Sequence, residues 1–409
     1  MDVNELIGLK LVHEIHTSER YSFRGCRRRW DWLFRQSYYP RVTEKYFEFG
    51  TAYHAAMETY YDPDTWTYDR QVIAARATLV FADVCEAQKS YALKVRDELY
   101  MEDDVELDYA ERVELGKGML NYYFTKVAPE EDIGWRPLKV EIAFMIPIPN
   151  PETGEAVIWC KCDACLERWD AHIEKMSTGQ VPVQEMRWEG LPVVYAGRID
   201  MLAEDKRGHY WIFDWKTAAQ IREDDEYLYL DDQISSYTWA MRFLGLPVRG
   251  FVYHAQRKAY PVPPTKNKVV RLGRQFSVNQ NQATSYPIFL ETVQREDPIA
   301  YEEGLYDEFL EFLRNEGTVF FKRHQIPKTA YEIAEIERNI GLEALDMINP
   351  KLRIYPAAGR FSCGSCAFRQ PCLGQNAGED YQYTLDTLFE KREPYYLRAR
   401  PSTESKGGM

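Results

Sequence analysis

Apolar and polar positions alternate in part along two strand-length runs between Ala196 and Trp215. Ala196–Ala203 reads as an apolar-rich strand, Glu204–Gly208 as a polar turn containing a glycine, and His209–Trp215 as the return strand of a β-hairpin. Leu138–Phe144 alternates likewise, and Val248–Gln256 predicts a further strand. Elsewhere the spacing turns helical. It predicts a helix over Ser18–Gln36 with Ser18 as N-cap, and a second from Phe47 to about Tyr61. Gln71–Val127 reads as long, charged and mostly helical. Leu228–Leu244 reads as a helix stopped at Gly245 and Pro247, and Tyr301–His324 and Thr329–Ile348 as two amphipathic helices. Pro261–Asn281 is basic and proline-containing, a solvated loop or one near a substrate. The chain beyond about Arg398 lacks core-forming residues and should be disordered. An α/β core with a mixed central sheet flanked by helices follows.

The hairpin carries the chemistry. Asp200 sits on its first strand, and Asp214 and Lys216 sit two apart on its second, so period-two alternation points the latter pair to one face. Two carboxylates suit a hard cation such as Mg²⁺ or Mn²⁺, and the amine can orient water or steady charge on a phosphate. A surface hairpin with an Asp214–Lys216 ion pair is the plain alternative. The apolar flanks Ile212, Phe213 and Trp215 argue for an interior strand, where charges are paired or coordinating.

Composition narrows the setting. The 409 residues are 45% apolar, enough for a substantial core. Without an apolar run of about 18 residues, no membrane span is expected. The N-terminal stretch shows no signal-like pattern, so the eight cysteines suggest a reducing cytoplasm and metal ligation rather than disulfides. The net charge of −13 argues against a broadly basic surface. A local basic channel remains open, with candidates at Arg24 with Arg27–Arg29, and at Arg257, Lys258, Lys266, Lys268, Arg271 and Arg274. Gly116-Lys117-Gly118 lacks the remaining positions of a P-loop, so no ATP-driven motor is expected.

Six of the eight cysteines fall in two groups. Cys160, Cys162 and Cys165, with His172 following, could hold a structural Zn²⁺ or be free buried thiols. Cys363, Cys366 and Cys372 place three thiols within ten residues, one short of a closed site.

Gly197–Asp200 followed by Ile212–Thr217 resembles the PD-(D/E)XK nuclease superfamily, specifically its RecB-like exonuclease branch. The resemblance covers the first sixty residues, roughly 138–260, and 360–375. It implies a restriction-endonuclease-like core. His54, four residues after Gly50, would supply an imidazole metal ligand beside Asp200 and Asp214, where a helical histidine would otherwise be an ordinary core or surface residue. Glu141 would be an additional acidic ligand or a solvated strand residue. Gln233 and Tyr237 match a Gln-x-x-x-Tyr signature that shapes the site and contacts nucleic acid. Lone Cys26 would join Cys363, Cys366 and Cys372 around a 4Fe–4S cluster, as in CRISPR-associated and AddB-type nucleases, with zinc the competing occupant.

The organisation expected is N-terminal helices over 1–62, a helical subdomain over 63–136 and a nuclease core over 137–260 with an insertion at 147–192. A basic loop and helices over 261–350, an iron–sulfur segment over 351–380 and an extension over 381–409 follow. The expected activity is a Mg²⁺- or Mn²⁺-dependent exonuclease acting on DNA ends or single strands. It would serve phage or prokaryotic recombination, repair or replication, with any helicase or recombination protein as a separate partner. A non-catalytic DNA-binding scaffold and a CRISPR adaptation nuclease are the alternatives.

Overall fold

A computed structural model describes residues 13–41, 45–99, 104–159, 191–221 and 226–391. Among these, the strands are β1 (His13–Ile15), β2 (Tyr38–Pro40), β3 (Arg136–Pro147), β4 (Ile158–Trp159), β5 (Leu191–Glu204), β6 (Tyr210–Ala218), β7 (Val248–Arg257), β8 (Lys266–Arg271), β9 (Arg274–Phe276), β10 (Phe321–Pro327) and β11 (Phe389–Lys391). Seven form a mixed sheet in the order β1-β5-β6-β7-β10, with β3 and β4 also paired to β5. β1 runs parallel to β5 and β6 parallel to β7, while β3, β6 and β10 are antiparallel to their neighbours β5, β5 and β7.

The predicted hairpin is β5 and β6. Its turn is held by the Asp205 carboxylate, which accepts the backbone N–H groups of Arg207 and His209 at 2.8 and 2.9 Å. Alternation along both strands feeds two apolar layers. Leu202 and Ile212 face a core completed by Ile234 and Trp239 of the helix Asp232–Phe243 and by Ile336 and Ile340 of Ala330–Ile348. Met201, Phe213 and Trp215 face the opposite core, built on Tyr53 and Met57 of Lys45–Tyr60 and on Phe81 of Arg70–Leu99. A strand covered on both faces reads as a nearly continuous apolar run, so the charges within β6 stand out.

Several expectations are corrected. The helix expected over Ser18–Gln36 is Thr17–Gly25, then Arg27–Trp30 and one π-helical turn, with Cys26 extended between them at φ −164°. His16 rather than Ser18 occupies the N-cap position. Leu228–Leu244 is two helices, Glu226–Leu230 and Asp232–Phe243, parted at Asp231, whose carboxylate caps the second by accepting Gln233 N–H at 2.8 Å.

No single helix spans Tyr301–His324. Gly304, at φ +73°, turns the chain after Pro298–Glu302, and the next helix ends at Asn315. Beyond it the chain continues as β10, antiparallel to β7. A Cβ on Gly317 would meet the Leu313 carbonyl oxygen at 2.4 Å, so this close approach requires glycine.

Pro261–Asn281 contains the β8–β9 hairpin rather than only loop, and the helix Tyr286–Glu296 was not expected. The extension after residue 380 begins with a helix and β11, which pairs with β2. Cys160, Cys162, Cys165, His172 and the tail beyond Arg398 lie outside the described residues. No helix among the described residues is long and apolar enough to cross a membrane.

β7 and β10 meet closely at Gly250, where an added Cβ would lie 2.1 Å from the Ile326 carbonyl oxygen. Backbone cannot yield as a side chain can, so Gly250→Ala should lower stability by about 3 kcal/mol, the upper range for overpacking. Urea unfolding measures this, and an unchanged midpoint would refute the tight β7–β10 contact.

Candidate metal centre and thiol pocket

The charged residues collect where β5 and β6 part. Antiparallel pairing runs from Glu204 opposite Tyr210 only as far as Met201 opposite Phe213. One step further, Asp200 Oδ2 accepts the Trp215 backbone N–H at 2.8 Å, replacing the ladder bond with a side-chain bond. Asp200 and Asp214 are 9% and 4% exposed. Lys216 Nζ lies 2.6 Å from Asp214 Oδ2, and Gln233 Nε2 donates to Asp214 Oδ1 at 3.2 Å.

His54 comes from the helix Lys45–Tyr60. Its Nε2 lies 2.6 Å from the Trp215 carbonyl oxygen and its Nδ1 3.4 Å from Asp200 Oδ1. A carbonyl only accepts, so Nε2 carries a proton and Nδ1 faces the carboxylates, the carbonyl fixing the ring as it would an imidazole ligand. Glu141 lies on β3 between Val140 and Ile142, which pair with Met201 and Ile199 on either side of Asp200, and has φ +49°. Arg198 Nη1 donates to Glu141 Oε2 at 2.7 Å. Ligand atoms of His54, Glu141 and Asp200 all lie within 4.8 Å of one another, the only such group among the described residues. Nitrogen and two carboxylates form a donor set that fits Mg²⁺ or Mn²⁺.

The electrostatics follow from this crowding. Burial would lower the His54 pKa, but Asp200 outweighs it and pushes the pKa up to about 9. Burial works to raise Asp200, yet His54, Lys216 and the Trp215 N–H hold it below the ordinary carboxylate value. Asp214 is pushed up to about 6, by burial and by Asp200 against the pull of Lys216. Lys216 is raised because the two aspartates overcome its desolvation. Burial raises Glu141, and Asp200 adds to this against Arg198.

Asp214 is not in the triad; it stands beside it, bound to Lys216. Tyr237 is buried against Phe144, with ring centroids 5.2 Å apart, and its hydroxyl approaches the strand carrying Asp200. A Cβ on Gly197 would lie 3.1 Å from that hydroxyl, so Tyr237 packs beneath the strand carrying Asp200. Sequence reasoning missed Arg198, although its place beside Gly197 was a signal, and the Trp215 backbone, which gives none.

At the other end, Cys26, Cys363, Cys366 and Cys372 line one cavity of about 420 Å³ with Arg28, Arg29 and Trp32. All four are free thiols. Ala357 N–H, Gly359 N–H and Arg28 Nη1 donate to the sulfurs of Cys26, Cys363 and Cys372, each at 3.4 Å. Burial raises the Cys366 pKa, opposed by the Phe368 N–H and by Arg29.

A parting pair of strands in a mixed, helix-flanked sheet, with carboxylates and a lysine at the fork, is the core of a restriction-endonuclease-like nuclease. The family model of the PD-(D/E)XK nuclease superfamily matches residues 18–373, and the chain belongs to that superfamily. No curated protein matches the chain. Nucleases of this superfamily use divalent metals, and the triad is a candidate site for one.

Glu141 sits in a strained conformation beside a like charge, so Glu141→Gly should stabilise the metal-free protein by about 1 kcal/mol, the scale of a non-glycine left-handed residue. The same change should weaken Mn²⁺ binding at least tenfold. Thermal unfolding and calorimetric titration read the two effects, and unchanged Mn²⁺ affinity would remove Glu141 from the ligand set.

Proposed function

We propose that the protein is a Mg²⁺- or Mn²⁺-dependent DNA exonuclease of the RecB-like branch, acting in phage or prokaryotic recombination, repair or replication. The observation carrying this reading is the convergence of His54, Glu141 and Asp200 within 4.8 Å, beside a lysine held by Asp214. His54, Glu141 and Asp200 would hold the cation, with Asp214 the adjacent carboxylate. The cation would supply Lewis-acid polarisation of a phosphoryl oxygen and a lowered pKa for water.

The chain's own residues do the rest. The Lys216 side chain is 37% exposed, so its ammonium can reach a substrate while Asp214 keeps it charged. There it orients the attacking water or offsets negative charge developing on the phosphate. Gln233 fixes the Asp214 carboxylate, and Trp215 fixes both Asp200 and His54 through its backbone. Against a non-catalytic scaffold stands the presence of His54, Asp200, Asp214 and Lys216 together.

The thiol pocket supports a 4Fe–4S cluster held by Cys26, Cys363, Cys366 and Cys372. A single tetrahedral Zn²⁺ with Zn–S bonds of about 2.3 Å needs its sulfurs roughly 3.8 Å apart. All four thiols line one cavity of about 420 Å³, room for a group larger than a single ion. N–H donors aimed at three sulfurs and nearby arginines offset thiolate charge, as a cluster requires.

End-labelled linear DNA, single- and double-stranded, tests the activity with anaerobically purified protein in Mn²⁺, Mg²⁺ or EDTA. Wild type should degrade DNA only with metal, and Lys216→Ala should lose at least about 10²-fold, the scale for removing one transition-state donor. Bound DNA with no cleavage on any substrate would favour the scaffold.

Cys26→Ser should lose iron, acid-labile sulfide and visible charge-transfer absorbance, and should unfold at lower urea concentration. Stoichiometric zinc without iron in the wild type would overturn the cluster.

A further inference from the structure

The segment 257–290 carries six lysines and arginines and no acidic residue, in a chain of net charge −13. It leaves the sheet beside the candidate site. Lys258 N–H donates to the Ala218 carbonyl at 2.7 Å, two residues past Lys216 on β6, and Arg257 N–H donates to the Phe320 carbonyl at 2.9 Å, where the chain returns. Between these points lies a small unit with its own core of Phe276, Phe289, Val293, Tyr306 and Phe309. Buried Asp297 secures the base of the β8–β9 hairpin, accepting Gln275 N–H at 2.9 Å and the Tyr306 hydroxyl at 2.6 Å.

The tip breaks ordinary rules. Arg271 pairs with Arg274, leaving Leu272 and Gly273 as a two-residue turn with φ of +51° and +79°. Both signs positive mark a type I′ turn, where asparagine or aspartate before glycine is strongly preferred. A leucine there is strained, and it is 83% exposed. The ladder is also irregular between Lys266 and Arg271, and Val269 and Val270 are 73% and 60% exposed. Lys266 and Arg274 are engaged at the base, with Glu296 and the Leu305 carbonyl, while Lys268 and Arg271 are exposed beside the tip. Three exposed apolar side chains, one of them strained, on a cationic and anchored hairpin suit a partner that is anionic outside and apolar inside. A DNA end fits: phosphates flank stacked bases, and leucine is among the side chains that wedge between base steps.

We propose that the β8–β9 hairpin is a strand-opening wedge, in which Leu272 packs against the terminal bases of a duplex while Lys268 and Arg271 hold the flanking phosphates. This rests on the nuclease reading and adds how a duplex end is presented to a hydrolytic site. Val269 and Val270 extend the apolar contact.

The test uses the full-length protein and a blunt duplex with 2-aminopurine at its terminal pair, in EDTA, so that unstacking is read without cleavage. Wild type should raise the fluorescence several-fold at saturation. Leu272→Asn supplies the residue the turn prefers, so the variant should melt no lower than wild type while losing most of that rise. Leu272→Met should retain it. Lys268→Ala with Arg271→Ala should weaken binding and reduce the log–log salt slope by about 2.

In Mn²⁺, Leu272→Asn should slow duplex degradation at least tenfold and leave single-strand degradation unchanged. A wild type that binds the duplex without unstacking it, or a Leu272→Asn protein that opens it equally, overturns the wedge and points to a protein contact at the tip. Single-strand cleavage without duplex opening would defeat the wedge alone. Opening in EDTA without cleavage in Mn²⁺ would defeat the hydrolytic reading alone.

Discussion

Two carboxylates buried at one fork of the sheet set the terms for everything around them. Removing a charge from water costs several kcal/mol unless partners replace the lost hydration. Asp200 obtains the Trp215 N–H and His54, and Asp214 obtains Lys216 and Gln233. For Asp200 to reach that N–H, β5 and β6 must stop pairing at Met201. For His54 to reach Asp200, the helix Lys45–Tyr60 must dock on Met201, Phe213 and Trp215, whose side chains form the opposite core. The local electrostatic need and the packing of a whole layer are therefore one requirement.

The N-terminal segment joins this site to the thiol pocket. Arg20 is fully buried between Asp232 and Glu343, at 3.0 and 2.6 Å. Its guanidinium ties the first helix to the helix that carries Gln233 and to Ala330–Ile348. Removing either acid would leave a buried charge underpaired, a costly state. Six residues after Arg20, the helix opens at Cys26, placing that thiol among three from the far end of the chain. One short stretch thus sets the position of Gln233 and the closure of the thiol pocket.

The hairpin of Asp200, Asp214 and Lys216 was legible because alternation over a strand is local, and because charges inside the apolar run of β6 conflict with its pattern. His54 and Cys26 became meaningful only through resemblance, since each meets its partners across long sequence separations. The break at Cys26 was hidden because Arg27–Trp30 resume the helical pattern of Thr17–Gly25 directly after it. β10 was hidden because Phe320 and Phe321 form a short apolar run, equally compatible with helix or strand until β7 is there to pair with it. The conformation of Glu141 gave no signal, because a left-handed residue is announced by glycine or asparagine and rarely by glutamate.

Strain follows the same geography. Among the described residues, Ser37, Glu141 and Leu272 are the non-glycines with positive φ. Ser37 precedes β2, the strand that receives β11 beside the thiol pocket. Glu141 bears two costs, a left-handed backbone and a carboxylate beside Asp200 whose field works against its ionisation. Glycine would remove both. A residue held against its backbone and against its neighbour's charge calls for a compensating partner beyond Arg198, whose side chain is 46% exposed and whose ion pair is weakened by solvent. On the proposed reading, a divalent cation among Glu141, Asp200 and His54 would supply it, turning the repulsion of two carboxylates into shared attraction.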